Sequence, residues 1–175
     1  KLKFTQEIVP IMEKCLKAQK PLVIIADEFE SQALSMLVVN RLKTGLPVVA
    51  IKAPAYGERR QEILKDIAIA TGANLISETS GMKISDTKME DLGSCAKIVV
   101  GKDSTTIIQP KGNSEEILQR IETLKNQLET ATDTYTTEKL TDRIAKLTGK
   151  VAVLYVGAPT DSELGEKKDR IDDAL

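Results

Sequence analysis

The sequence predicts an α/β domain with a sheet core, flanking helices and an antiparallel helical hairpin towards its C-terminal end. Three observations predict it. Apolar β-type runs at Leu22–Ala26 and Val48–Ile51 flank a helical stretch from about Glu30 to Lys43. That order favours a parallel strand pair with a helical crossover. The β-branched runs Ala96–Val100 and Thr105–Ile108 are joined by Gly101, Lys102, Asp103 and Ser104, the turn chemistry of a hairpin. Ile117, Ile121, Leu124 and Leu128 are followed, across a polar turn at Asp133–Thr137, by Leu140, Ile144 and Leu147. Spacings of four and three make the seam of two helices packed on each other.

The first helical stretch, Phe4–Ala18, carries two apolar stripes: Phe4, Ile8, Ile11 and Cys15 on one, Val9, Met12 and Leu16 on the next. Proline suits a first helical turn, so Pro10 predicts a regular helix from Ile8 or Val9. The sequence Gln19, Lys20, Pro21 ends it. The second helix repeats the pattern. Ala33, Met36 and Leu37 can face a sheet, Leu34, Val38 and Leu42 form a second stripe, and Val39 lies further round. A surface helix needs one apolar stripe of about 100° or a little more. Two readings of the surplus stay open. Either both helices are buried nearly all round, or their second stripes face outward and form an apolar groove where the helices lie side by side.

Pro54 and Gly57 mark a loop before an amphipathic helix, Glu58–Thr71, with Ile63, Leu64, Ile67 and Ala68 inward and Gly72 as its C-cap. Leu75 and Ile76 read as a short strand. Ser80–Asp91 reads as a polar loop anchored by Met82 and Ile84. Asn113 and Ser114 supply helix-start chemistry. Gly149 stops the last hairpin helix, Val151–Val156 is a further strand, and Ala158–Leu175 is charged and helical towards its end. Residues 1–150 form the main domain by this reading, and 151–175 its last strand and the start of a following segment. The chain begins Lys1, Leu2, Lys3, Phe4 and ends inside a helical pattern, as a piece of a longer protein would.

Composition excludes several function classes. Apolar residues are 41% and charged residues 29% of the 175, and the formal net charge is −1 with no run of like charge. A nucleic-acid surface built on bulk positive charge is therefore not expected. Five aromatics, Phe4, Phe29, Tyr56, Tyr135 and Tyr155, are too few for a base-stacking platform. Histidine is absent, which removes the commonest general base and zinc ligand and every Ser–His or Cys–His pair. Cys15 and Cys95, far apart and without a CxxC, read as thiols of a reducing compartment; no metal site and no disulfide framework is expected. No apolar run reaches the ~20 residues of a membrane span. The phosphate-loop, dinucleotide, zinc-protease and nucleophile-elbow motifs are all missing. Arg59 and Arg60 at a helix start, or Asp173, leave a phosphate-binding α/β enzyme fragment as one alternative. An assembly module using the 113–148 seam is another.

Several segments closely resemble the apical domain of group I chaperonins of the GroEL type: KPLVIIADEFESQALSMLVVNRLK, VVAIKAPAYGERR, LKDIAIATGANLIS, KDSTTII, EKLTDRIAKLTGKVAVLYVGA and EKKDRIDDAL. They span essentially the whole chain in the family's order. The resemblance implies the swivelling β/α/β apical fold and a chaperone function. Non-native polypeptides and the mobile loop of a GroES-type co-chaperonin would be captured in an apolar groove between the two helices matching Val9–Ala18 and Glu30–Lys43. The family's binding positions fall on Val9, Met12, Leu34, Val38 and Val39, with Asn40 adjacent; Leu16 shares the first helix's outer stripe. In the full-length protein the resemblance implies a double seven-membered ring that binds ATP and Mg in an equatorial domain, which this chain lacks. Asp173 matches an aspartate assisting ATP hydrolysis there. The chain alone is expected to be monomeric, to need no cofactor and to be no enzyme. A bacterial cytoplasm is the expected location, with mitochondrial matrix and plastid stroma as alternatives. Three departures stand out: Ala55 where the family usually has Gly, Gln32 where it usually has an acidic residue, and Phe29; of these, Phe29 and Gln32 lie near the groove.

Overall fold

A computed structural model describes residues 5–149 and 151–155. The element order is α1 (Thr5–Lys17), β1 (Leu22–Ala26), α2 (Ser31–Thr44), β2 (Val48–Lys52), α3 (Gly57–Thr71), three single 3₁₀ turns (Glu78–Ser80, Ile84–Asp86, Met89–Asp91), β3 (Cys95–Val100), β4 (Ser104–Pro110), α4 (Ser114–Thr130), α5 (Thr134–Thr148) and β5 (Val151–Tyr155). The mixed α/β class and the helical hairpin stand as the sequence predicts. The sheet does not form one layer. β1 and β2 pair in parallel, Leu22 opposite Val48 through Ala26 opposite Lys52. β3, β4 and β5 form a separate antiparallel sheet with β4 in the middle.

The first core lies under α1 and α2. Ile8, Ile11, Met12 and Cys15 of α1 meet Ala33 and Leu37 of α2, Leu22 of β1, Leu46, and Val48 of β2, all buried. Phe29 and Met36 pack against this cluster from partly buried positions. The α1 helix starts at Thr5, earlier than Pro10 led us to expect, so Pro10 sits in its second turn. A proline there withholds one i→i−4 bond, and the carbonyl left without a donor is that of exposed Gln6, which water can satisfy. Gly45 ends α2 in the left-handed conformation at φ 70°, its N–H returning to the Arg41 carbonyl, a conformation glycine adopts freely.

Residues 80–91 are not the loosely anchored loop that their polarity suggests. Their 3₁₀ turns lie against α1. Lys14 Nζ donates to the Thr87 carbonyl at 2.9 Å, and Cys15 Sγ stands 3.8 Å from Met89 Sδ. Burial pushes the Cys15 thiol above its ordinary pKa, so it remains a protonated core group. Leu75 and Ile76 form no strand. Asn74 is instead fixed to Asp91, its N–H bonding the Asp91 carbonyl and its side chain the Asp91 carboxylate, each at 2.8 Å.

The second core is the hairpin seam. Ile121 and Leu124 of α4 meet Leu140 and Leu147 of α5, with Ala70 of α3 completing the cluster. Asn113 caps α4 by accepting from Glu115 N, and Asp133 caps α5 by accepting from Thr136 N, satisfying donors that a helix start leaves open. Gly112 lets this hairpin close on α3: its N–H bonds the Ala70 carbonyl at 2.8 Å, and a Cβ there would collide with the Ile69 and Ala70 carbonyls.

An ionic quartet ties the hairpin to α3. Arg120 Nε donates to Asp66 at 2.8 Å and its Nη2 to Glu62 at 2.5 Å. Arg143 Nε donates to the other Asp66 oxygen at 2.6 Å and its Nη2 to Glu62 at 3.1 Å. Asp66 and Arg120 are buried. Burial opposes the charge on Glu62, but the hydrogen bonds and fields of Arg120 and Arg143 outweigh it and hold its carboxyl below the ordinary value of 4.5.

Removing one partner of such a buried network leaves charge uncompensated, which costs roughly 3–5 kcal/mol. We expect Arg120→Ala to lower the unfolding free energy by about 3 kcal/mol, since Arg143 still faces both carboxylates; urea denaturation measures it. Because the folded-state pKa of Glu62 is depressed, its contribution is complete above the unfolded carboxylate value and is lost as pH falls through the lower folded one. Arg120→Ala should therefore flatten the acid limb of the stability–pH curve. At Ala55, the backbone sits at φ 63°, a left-handed conformation costing a non-glycine residue about 1–2 kcal/mol. Ala55→Gly is expected to raise the urea midpoint.

Candidate functional site

The α1 and α2 helices bury one stripe each and leave the other in solvent. Val9 and Leu16 of α1 and Leu34, Val38, Val39 and Leu42 of α2 are all exposed, Val38 at 57% and Leu42 at 80% of full exposure. Monomeric soluble proteins rarely expose contiguous apolar patches larger than a few hundred Å². The second stripes are exposed rather than buried all round, except at Met12, which was expected on the outer stripe and is only 5% exposed. Its long side chain turns down between the helices and becomes core.

Two hollows flank α2. The α1–α2 groove has a volume of about 210 Å³ and is lined by Val9, Met12, Glu13 and Leu16 of α1, Asn40 and Thr44 of α2, and Leu46. Met12 is its floor; Val9 and Leu16 form one wall. Asn40 and Thr44 bring polar side chains to the other wall, yet both are spent within α2. Asn40 Nδ2 donates to the Met36 carbonyl at 2.9 Å, and Thr44 Oγ1 donates to the Asn40 carbonyl at 2.8 Å. The α2–β2 cleft, about 200 Å³, is lined by Leu34, Leu37, Val38 and Arg41 of α2 and by Val48, Val49 and Ala50 of β2.

The residues singled out in the sequence are thus divided. Val9, Met12, Leu16 and Asn40 meet in the α1–α2 groove, while Leu34 and Val38 line the opposite flank rather than facing α1. Helix geometry explains the split: at 100° per residue, Val38 and Asn40 point about 200° apart around the axis. Val39 and Leu42 are exposed on the same helix and line neither hollow. The sequence reading missed the α2–β2 cleft. The apolar β2 run next to Leu34 and Val38 read only as one strand of a parallel pair, and that reading says nothing of the strand's second edge. Asp173 lies outside the described residues.

The alternative sites are engaged otherwise. Arg59 donates to the Tyr135 hydroxyl and lies over its ring, 5.2 Å from the centroid. Arg60 Nε donates to the Ala55 carbonyl at 2.8 Å, with its guanidinium 5.0 Å from the Tyr56 ring centroid. Both arginines fix the start of α3. The hairpin seam is covered within the chain by α3. Among the described residues no group of three or more His, Cys, Asp or Glu side chains is placed to hold a metal ion, and no helix is long and apolar enough to cross a membrane.

The model of the TCP-1/cpn60 chaperonin family matches residues 3–175. The chain belongs to this family. Among solved structures, the chaperonin gp146 from the bacteriophage EL 2 (Pseudomonas aeruginosa), determined in the presence of ATP-BeFx, is similar to this chaperonin chain with a TM-score of 0.57 at 20% identity. The match covers 97% of this chain and 34% of gp146, so the chain spans about a third of the length of that relative. At that identity the likeness shows a shared fold, and together with the family it supports a chaperone role.

Exposure and burial make opposite predictions for neighbouring apolar residues. Met12→Ala should cost about 2 kcal/mol or more, as truncation of a buried Met does. Val38→Ser and Leu42→Ser should change stability by no more than about 0.5 kcal/mol. Chemical denaturation of the three variants measures this.

Proposed function

We propose that this chain is the polypeptide-capturing part of a group I chaperonin, with residues 1–150 as the apical domain and 151–175 leading back towards the rest of the subunit. The observation that carries this reading is the exposed apolar face of α1 and α2 in a member of the chaperonin family. Non-native chains expose apolar side chains, and a surface of Val, Leu and Met covers them without reading a sequence. Met12 at the groove floor adds a flexible, polarisable contact suited to varied partners. Asn40 and Thr44 at the rim are bonded within α2, so an incoming apolar group breaks no essential hydrogen bond on that wall.

Burying one Val or Leu side chain is worth roughly 1.5–3 kcal/mol. Three or four such contacts, less the cost of ordering the partner, put affinity on about the micromolar scale per domain. In the full-length ring, by this proposal two stacked rings of seven, several copies engage one client and add avidity. The mobile loop of a GroES-type co-chaperonin competes for the same face. ATP and Mg belong to a part of the protein outside this chain; Asp173 acts only in that context. A cytoplasmic setting suits these partners.

The test is calorimetric titration of the chain with an amphipathic apolar peptide, beside a Val9→Ser, Leu16→Ser double variant. We expect micromolar-scale binding with a negative heat-capacity change, the marker of apolar burial. The variant should lose at least tenfold, since tenfold is about 1.4 kcal/mol and two wall residues are removed. Equal binding by a variant with an unchanged urea midpoint would remove the groove from the account.

A further inference from the structure

The α2–β2 cleft has a feature that the α1–α2 groove lacks. Its β side is made of three consecutive residues, Val48, Val49 and Ala50. Consecutive side chains of a strand point to opposite faces. Three in a row therefore line one hollow only when that hollow runs beside the strand's edge, against its main chain. The pairing pattern shows which main-chain groups lie there. Leu22 N–H bonds the Pro47 carbonyl at 2.9 Å and Ala53 N–H bonds the Ala26 carbonyl at 2.8 Å. In a parallel ladder, alternate residues of a strand turn both their groups to the same neighbour. Residues 47, 49, 51 and 53 thus face β1, and Val48 and Ala50 turn their N–H and C=O groups away from it. Among the described residues β2 pairs with β1 alone, and no hydrogen bond reaches these outward groups of Val48 or Ala50.

An unpaired strand edge is a template for another extended chain. The wall opposite this edge is apolar, formed by Leu34, Leu37 and Val38. Among the described residues Arg41 is the one charged side chain lining the cleft, and among them it makes no ion pair. Lys52 is exposed at the end of β2. A second copy of this chain laid edge to edge would set Arg41 and Lys52 against their own kind, and β2 has no acidic residue to answer them.

We propose that the α2–β2 cleft receives one extended segment of a captured polypeptide, paired along the open edge of β2. The occupant places an apolar side chain against Leu34 and Val38 and a carboxylate against Arg41. This rests on the proposed capture function and deepens it. Capture then has two modes on one face: side-chain burial in the α1–α2 groove, and strand addition, in which main-chain bonds give affinity and alternate side chains give preference, on the other side of α2.

The probe is a seven-residue capped peptide that alternates Thr and Val, beginning with Thr, with Asp in place of the central Val so that Asp and the two remaining Val share one face; it is titrated into the 175-residue chain by calorimetry. Its partner is the same peptide N-methylated on alternate amides, in each of the two phases. In one phase methylation removes the N–H groups that would bond β2; in the other it leaves them. We expect one methylated form to lose at least tenfold and the other to keep most of its binding. Ala50→Pro, which deletes an edge N–H where an edge strand tolerates proline, should weaken the parent peptide similarly. Arg41→Gln should abolish the difference between peptides with central Asp and central Asn. The Val9→Ser, Leu16→Ser variant should bind the peptide within twofold of the unaltered chain. Equal binding of both methylated forms overturns strand addition. If the amphipathic peptide still binds then, and is still lost in the Val9, Leu16 variant, the capture function survives without this second mode. No binding of either peptide sinks both. Binding by this chain that disappears in the full-length protein also overturns the proposal, because the edge is then occupied by the protein's own chain.

Discussion

The apolar face depends on how α2 is seated. Ala33 and Leu37 are locked against α1 and the parallel pair, which fixes the helix's rotation about its axis. A helix carrying apolar residues over most of its circumference cannot bury them all on one small sheet and one neighbouring helix. Once Ala33 and Leu37 face inward, helical geometry carries Leu34 and Val38 to one flank and Val39 and Leu42 outward. The exposed surface is therefore a consequence of the same contacts that stabilise the fold. Rotating α2 to hide Leu42 would expose Leu37, so no nearby arrangement removes the patch. Met12 reinforces the seating, because its side chain fills the space where the two helices part. That makes it at once a core residue and the floor of a surface groove.

The remainder of the chain supplies stiffness at a distance from this face. The hairpin α4–α5 has its own apolar seam and its own caps, and it is fixed to α3 by four ion pairs as well as by Ala70. Well-packed hydrophobic residues in place of a buried ion network are often equally stable or more so, so stability alone does not account for the quartet. Its geometry offers directionality. Two guanidinium forks on two carboxylates admit one register of α4 and α5 on α3, where a purely apolar contact would tolerate sliding. Meanwhile Lys14, Cys15 and the turns at 84–91 brace α1 from behind. A binding face built from two helices needs their spacing held, and both helices are held by contacts lying away from the face.

Much of this was legible in the sequence where periodicity speaks plainly. The strand–helix–strand unit, the β3–β4 hairpin and the seam at Ile121, Leu124, Leu140 and Leu147 follow from spacing alone. The surplus stripe on α2 was equally visible; its exposure was not, because amphipathic period reveals how much apolar surface a helix has and not how much its neighbours can cover. Met12 and Leu16 lie on one stripe, but only the structure separates a side chain that dips between helices from one that stands beside them. The quartet escaped notice because Glu62, Asp66, Arg120 and Arg143 are spread over 82 positions, and charged residues at helical spacing look like solvated surface until tertiary packing buries them. The bracing by residues 84–91 was hidden for a related reason: a polar composition suggests a loose loop, while its order comes from Thr87 and Met89 meeting α1. The division of the face into two hollows lay beyond pattern reading, since it depends on which flank of α2 each neighbour occupies.

The two hollows differ in what they ask of a partner. The α1–α2 groove is walled by side chains, with its main-chain groups already bonded inside helices, so it rewards apolar volume and is indifferent to backbone conformation. The α2–β2 cleft has side chains on one wall and strand main chain on the other, so it rewards an extended chain with any sequence that alternates apolar and tolerant residues. A helical amphipathic segment satisfies the first and fails at the second; a strand satisfies the second and fills the first poorly. Partially folded chains contain both kinds of segment. A single helix with a hollow on each flank can therefore meet either without rearranging, and the rigid seating of α2 is compatible with promiscuity because variety is supplied by two fixed surfaces instead of one adaptable surface.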